Sequence, residues 1–181
     1  RYFKVLQTDD EDKEVPESQV KRELVQFVDS HEETIKQKVT IILDHFVDKA
    51  SRKIDGKARG MVIVRSRKHC VLFHEEMVSQ MRERNLTYSC LVAFSGTIYH
   101  NGIENTEVSL NKANGLKGNI PDGLKDPRFR ILIVSNKYQT GFDEPMMQSM
   151  YVDKKLNGVQ CVQTLSRLNR TKSGKTDTFV L

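Results

Sequence analysis

Apolar residues recur at helical spacing from residue 17 to about residue 54. Val20, Leu24, Phe27 and Val28 form one group, and Ile35, Val39, Ile42, Leu43, Phe46 and Val47 form the next, which predicts two helices broken near Ser30. Ahead of them the acidic run at residues 9–14 and Pro16 read as a solvated linker over residues 1–16. Gly56 and Gly60 punctuate the chain before a short, β-branched apolar run at 61–64 that predicts a buried strand. Ser66 is placed to cap the helix that follows, whose apolar face carries Val71, Leu72, Met77, Val78 and Met81 and which should end near Asn85. A second strand is expected at 88–94. Residues 95–126 are polar and hold Gly102, Gly115, Gly118, Pro121 and Gly123, too long a stretch to be structureless inside a compact domain, so a functional loop with short helical pieces is expected. Strands at 129–134, 147–152 and 178–181 and a helix at 159–169 complete the pattern.

Strands alternating with helices, each strand nearly continuous in Val, Ile and Leu, predict an α/β fold: a parallel sheet sandwiched by helices, with an N-terminal helical segment. The expected organisation is a linker at 1–16, a helical segment at 17–56 and one α/β domain at 57–181. Ligands of such sheets sit beyond the carboxyl ends of the strands. That directs attention to residues 65–68, to Ser95 with Gly96, to 135–145 and to 153–158.

Composition narrows the class without deciding it. The 181 residues suffice for one core, and 29 Lys and Arg against 24 Asp and Glu give a net charge of +5, which permits an anionic partner but is common among soluble proteins. Three widely spaced cysteines, Cys70, Cys90 and Cys161, suggest neither a disulfide framework nor a zinc site. No apolar run approaches the roughly 20 residues that span a bilayer, and no signal-peptide pattern is present, so a soluble, cytoplasmic protein is expected. The chain starts without Met and ends on a strand-like Phe179-Val180-Leu181, as expected of a piece of something larger.

The chemistry concentrates near residue 165. In Gln163-Thr-Leu-Ser-Arg167-Leu-Asn-Arg170 two arginines three residues apart project from nearly one helical face, so both can reach one anion. Guanidinium groups keep their charge and offer fork-like donors, which suits a phosphate whose charge spreads during transfer. A solvated basic face is the plainer alternative. The stretch resembles the last conserved motif of superfamily-two helicases, QxxGRxxR, with Ser166 where glycine is usual. Upstream, the strand at 131–134 followed by Ser135, Gly141 and Asp143 resembles the preceding motif of that family. The strand at 61–64 with Ser66 and Arg67, and Val92-Ala-Phe-Ser95-Gly96, resemble two earlier ones. The wording "AFSG", "TGFDEP" and "QTLSRLNR" is most similar to the motor (R) subunit of type I restriction enzymes, in its C-terminal RecA-like lobe, and the resemblance covers roughly residues 61–170.

That resemblance implies the second lobe of an ATP-dependent DNA translocase, a P-loop NTPase fold lacking its own P-loop. Ser66, Arg67, Ser95, Gly96, Ser135 and Thr140 would contact the phosphates of one DNA strand, positioning it without reading bases. Gly141 would allow close backbone approach near the interlobe cleft, and Asp143 would contact the nucleotide ribose or couple that contact to DNA. Arg167 and Arg170 would enter the ATP site of the preceding lobe as arginine fingers, with Gln163 orienting the γ-phosphate or its water. ATP and Mg²⁺ would be held mainly by that preceding lobe, and the isolated chain would hydrolyse nothing. Implied partners are the preceding lobe, duplex DNA, and the methyltransferase and specificity subunits of a restriction complex, with no membrane. Another superfamily-two DNA or RNA helicase, or a non-catalytic interaction module, remains an alternative.

Other signals carry less. Ser173-Gly-Lys175-Thr176 looks like the end of a P-loop, but its first glycine position is Asn169 and a strand follows. Asp143-Glu144 lies too far from its strand and too close to Pro145 to suit a metal, and no metal site is expected. His69 and His74 do not share a helical face and are expected at the surface or half-buried. Lys112, Lys117 and Lys125 in the 95–126 stretch are candidates for contact with DNA or neighbouring subunits.

Overall fold

The computed structural model describes residues 17–138 and 143–181. The linker expected at 1–16, and Thr140 and Gly141 of the expected site, lie outside the described residues. Among them, five strands form one parallel sheet. These are β1 (Arg59–Val64), β2 (Ser89–Ala93), β5 (Phe129–Val134), β6 (Met147–Asp153) and β7 (Phe179–Val180), in the order β2-β5-β1-β6-β7. Every residue of β1 is buried, as befits a central strand covered on both faces.

The two-residue period of the strands sorts the core into two layers. Val62, Val64, Cys90, Val92, Ile131, Ile133 and Tyr151 face one side, where α2 (Glu32–His45) and α4 (Arg67–Glu83) cover them. Met61, Ile63, Leu91, Leu132, Val134 and Met150 face the other, against Ile120, Leu124 and Leu168. The expected helical break near Ser30 separates α1 (Glu17–Asp29) from α2, and α2 runs on into a π-helical turn, Phe46–Ala50. Ile35, Val39, Ile42, Leu43 and Phe46 are buried in the same core as the sheet, whereas Val20, Leu24, Phe27 and Val28 of α1 are exposed. A short helical piece, α3 (Lys53–Gly56), leads to β1. Gly60 lies inside β1 rather than ahead of it. A Cβ there would stand 3.2 Å from the Phe46 ring and 3.0 Å from Ser149 Oγ, so the residue lets the π-helical turn close on the sheet.

Four expectations need correction. The 95–126 stretch contains an antiparallel hairpin, β3 (Thr97–His100) and β4 (Ile103–Thr106), which turns on Asn101 (φ 51°) and Gly102 (φ 74°), both in the left-handed region that a tight hairpin turn demands. Two short helices follow it, α5 (Glu107–Ala113), opened by a Thr106–Ser109 capping box, and α6 (Ile120–Gly123). Second, the helix expected to reach residue 169 stops as α7 (Gly158–Leu165) and tightens into a 3₁₀ turn, Ser166–Asn169, whose three-residue period brings Leu165 and Leu168 together onto the sheet. Third, the last strand is only Phe179–Val180, although Leu181 still exchanges backbone hydrogen bonds with Met150 and Val152. Fourth, His69 and His74 are both buried, on the face of α4 that meets the core and its margins.

Helix α5 seals the outer edge of β2. Asn111 accepts the Val92 N–H at 2.8 Å and donates to the Val92 carbonyl at 2.8 Å, Asn114 donates to the Cys90 carbonyl at 2.8 Å, and Glu107 accepts the Phe94 N–H at 3.0 Å. Two side chains of α5 and its capping residue Asn114 thus take the place of a sixth strand on an edge that would otherwise be open to another chain. Among the described residues no helix is long and apolar enough to cross a membrane.

Candidate functional site

The first cluster of expected site residues forms where β1 hands over to α4. Ser66 is extended and caps α4, accepting the His69 N–H at 3.3 Å, as its position after a strand and before a helical run predicts. Its Oγ also stands 2.8 Å from His69 Nδ1. Arg67 Nη1 donates to the Ser95 carbonyl at 3.3 Å. Gly96 has φ +77°, and a Cβ on it would come within 2.9 Å of Arg67 Nη1, so glycine is what lets this guanidinium lie across the loop after β2. Ser66, Arg67, Ser95 and Gly96 are therefore gathered at the carboxyl ends of β1 and β2. Lys68 is exposed beside them.

Ser135 does not present its hydroxyl to this surface. Its N–H donates to the Ala93 carbonyl at 3.0 Å, continuing the ladder one residue past β5, and its Oγ is buried without a hydrogen-bond partner. The sheet extends further than the hydrophobic run suggested, and that extension takes the serine inside with it. Beyond it the chain bends through Asn136 and Tyr138, both at positive φ. Lys137 reaches across to both oxygens of Glu107 at 2.8 Å, tying this bend to the helix that seals β2.

The second cluster is carried by the 3₁₀ turn. Thr164 and Leu168 are buried and fix the turn to the sheet, while Arg170 is exposed and Arg167 partly so. Ser166 has φ −58° and ψ −17°, an ordinary helical conformation, and its hydroxyl donates to the Gln163 carbonyl at 3.1 Å, so nothing here demands the glycine usual at this point of the motif. Arg170 Nε lies 3.3 Å from Asp143 Oδ1, with both side chains more than half exposed. Arg167 has its pKa drawn down by desolvation first and by the neighbouring Arg170 charge second, while Asp143 opposes both. The Gln163 side chain is exposed on the last turn of α7. The structure thus brings Asp143, Arg167 and Arg170 together.

The two clusters lie toward opposite ends of β1. Glu144, next to Asp143, pairs with Arg59 at 2.9 Å in a nearly buried contact at the start of the strand, whereas Ser66 and Arg67 follow its end. Six residues of strand separate these points by about 20 Å. Asp143 was expected with Ser135 at the carboxyl edge. Instead Asp143 lies beside Glu144 at the amino edge, where β6 begins.

An ion-pair network was not anticipated. Lys38 of α2 holds Asp153 at 2.7 Å and Asp29 at 3.4 Å, and Asp29 also pairs with Arg65, the residue before Ser66. Burial alone would raise the Asp29 pKa, but the bonds and charges of Arg65 and Lys38 outweigh it and the net shift is downward. His69 lies against this network with its pKa lowered by burial and by Arg65. The available signal was its position three residues after a capping serine, where a side chain returns to the cap. Among the described residues no group of three or more His, Cys, Asp or Glu is arranged to hold a metal ion.

A family model described as type I restriction enzyme subunit R domain 3 matches residues 73–179. The chain is 27% identical over 157 residues to the type I restriction enzyme MjaVIIIP endonuclease subunit of Methanocaldococcus jannaschii, itself provisionally named, covering 80% of this chain and 15% of that protein. It is 26% identical over 141 residues to the HindI endonuclease subunit of Haemophilus influenzae, covering 74% and 13%, and 37% identical over 67 residues to the SauCOLORF180P endonuclease subunit of Staphylococcus aureus, covering 37% and 7%. The chain spans at most 15% of the length of these three relatives. Among solved structures, the C-terminal part of the Fun30 ATPase domain superimposes over 78% of this chain and 39% of its own, with TM-score 0.46 and 15% identity, a loose likeness that adds nothing to the topology above.

Proposed function

Because the chain belongs to the type I restriction enzyme subunit R domain 3 family, we propose that it is the second motor lobe of an ATP-dependent DNA translocase. In this reading it contacts DNA phosphates and supplies arginine fingers to ATP bound by the preceding lobe. The observation that carries the reading is the pair Arg167 and Arg170. They stand on and just after a turn held to the sheet by buried Leu168, with Thr164 buried one turn earlier, and lie beside Asp143, Arg170 exposed and Arg167 partly so.

ATP with Mg²⁺, held by the preceding lobe, supplies the phosphoryl group. Arg167 and Arg170 add positive charge where negative charge spreads over the transferring group. With the cleft open, Arg170 rests on Asp143. An ion pair this exposed is worth at most about 1 kcal/mol, so closure exchanges the carboxylate for a phosphate at little cost. Arginine fingers accelerate such reactions by roughly 10³ to 10⁵, or about 4 to 7 kcal/mol of barrier. Ser66, Arg67, Ser95 and Gly96 form the phosphate-contacting edge in this reading. The parent's remaining partners would be the methyltransferase and specificity subunits of a restriction complex.

The test is the ATPase of the full-length parent with Arg167→Ala and Arg170→Ala, measured with and without duplex DNA. Each variant should lose about a thousandfold in DNA-stimulated turnover while still binding DNA, and the 181-residue chain alone should show no turnover. An Arg170→Ala parent with wild-type ATPase would overturn the proposal. Stimulation by RNA in place of DNA would favour the C-terminal lobe of another superfamily-two helicase.

A further inference from the structure

The lysines of the 95–126 stretch are not equivalent. Lys125 donates to Asp122 at 2.6 Å, an exposed pair with no net charge. Lys112 and Lys117 are also exposed, but among the described residues neither is paired with a carboxylate. Both line a groove of about 790 Å³ between α5 and residues 115–120, and Lys125 does not.

The groove leads away from the strand-end edge. Its mouth is formed by Glu107, which accepts the Phe94 N–H just past β2, and by Lys137, which follows β5. From there α5 runs back along β2, with Asn111 at Val92 and Asn114 at Cys90, so the groove descends the flank of the sheet. Lys112 stands five residues beyond Glu107, about 7.5 Å along the helix axis, or about two steps of a B-DNA strand at ~3.4 Å each. Ile120 is buried and Leu116 packs against the core, so the floor is closed and the rim carries the charge.

The sign of that charge is unopposed. Glu107 is the one carboxylate lining the groove among the described residues, and Lys137 holds both its oxygens at 2.8 Å. With that pair neutralising itself, Lys112 and Lys117 leave the groove two positive charges without a counter-charge. An ammonium on a flexible four-carbon stem suits a phosphodiester backbone, to which it contributes charge without reading bases.

We infer that this groove carries the phosphodiester backbone of DNA onward from the strand-end edge, with Lys112 and Lys117 each neutralising one phosphate. The inference rests on the DNA-motor reading and extends its contact surface down the sealed flank of β2.

The experiment measures binding of the full-length parent to a labelled duplex as a function of salt. Lys112→Ala and Lys117→Ala should each lower the salt slope by about one, and the double variant by about two. Each phosphate contact accounts for roughly a threefold loss of affinity between about 50 and 200 mM salt, so the double variant should lose about tenfold less than wild type over that range. Lys112→Arg and Lys117→Arg, which keep the charge, should keep the wild-type slope. Lys125→Ala, outside the groove and already paired, should keep it too. An unchanged slope in both alanine variants would overturn the inference, and so would an equal fall in Lys125→Ala, which would reduce the effect to general surface charge. Normal DNA binding by the double variant with loss of its assembly with the methyltransferase and specificity subunits would assign the groove to a protein partner and overturn it as well. Arg67→Ala keeps the two readings apart, since it should lower the slope by about one through the strand-end edge. If it does so while the double lysine variant leaves the slope unchanged, the groove alone fails. If neither changes the slope, the DNA-contacting edge fails with it.

Discussion

Truncating Asn111 to alanine opens the sealed edge of the sheet, and the cost can be worked from two contacts. The amide oxygen accepts the Val92 N–H and the amide nitrogen donates to the Val92 carbonyl, each at 2.8 Å, with Asn111 only 2% and Val92 0% exposed. No other backbone is near enough to replace it, because α5 rather than a strand lies along this edge. Asn111→Ala therefore strands one buried donor and one buried acceptor, each costing about 1–3 kcal/mol, or roughly 2–6 kcal/mol together. That is a large share of the roughly 5–15 kcal/mol by which domains are stable. Urea unfolding followed by circular dichroism should show the midpoint falling with an unchanged slope, since the surface exposed on unfolding barely alters. Asn111→Asp should be no milder, because it keeps the acceptor for Val92 N–H but sets a carboxylate oxygen against the Val92 carbonyl. A loss below about 1 kcal/mol for the alanine variant would refute the claim that α5 side chains complete the sheet.

Two further outcomes follow from buried groups, beside the ATPase and DNA-binding tests above. Burial holds the His74 pKa down at about 4, from an ordinary 6.5, while Asn114 lies 2.7 Å from its Nε2. The folded state therefore binds fewer protons than the unfolded one, and stability falls as the pH drops from 6.5 to 4, by about 3 kcal/mol in all. His74→Gln should flatten that part of the stability profile measured by urea titration at several pH values, and an unchanged slope would show that the ring does not titrate as described. Ser135→Ala removes a buried hydroxyl with no partner and should leave the chain as stable or slightly more so, with DNA affinity of the parent unchanged. A marked loss of DNA binding would restore this serine to the interface.

The parallel sheet and its two helical layers were legible because period and composition agree. Residues 61–64 and 131–134 are apolar without interruption, and runs this short and rich in β-branched residues read as strands covered on both faces. The hairpin at Thr97–His100 and Ile103–Thr106 carried a local signal, Asn101-Gly102, which was read only as loop punctuation. The edge seal had none, because Asn111, Asn114 and Glu107 look like any exposed helical polar residues until the unpaired edge of β2 is placed beside them. That Arg167 and Arg170 lie close together was legible from their spacing, although the 3₁₀ turn that carries Arg167 and is capped by Arg170 is tighter than the helix expected. Ser135 was misplaced because the sequence does not reveal that the ladder runs one residue beyond the apolar stretch. His69 was expected at the surface or half-buried, and its burial is set by the tertiary packing around the start of α4, which its neighbours in sequence do not reveal.

For a lobe that works as proposed, the separation of the two clusters has a mechanical meaning. The Arg59–Glu144 contact fixes the neighbour of Asp143 to the start of β1, and the Ser66–His69 cap fixes the phosphate-contacting edge to its end. Between them runs β1, buried along all six of its residues, paired to β6 throughout and to β5 over Gly60–Ile63. A strand packed in this way does not stretch or slide, since a slip of one residue exchanges its two faces and smaller shifts break its close packing. The arginines and the DNA edge therefore move as one body, and a rotation that brings the arginines to a nucleotide must displace the DNA contacts about 20 Å away. Coupling between hydrolysis and stepping then needs no signal passed through the lobe. It requires only that the lobe be stiff, and the buried, doubly paired central strand makes it so.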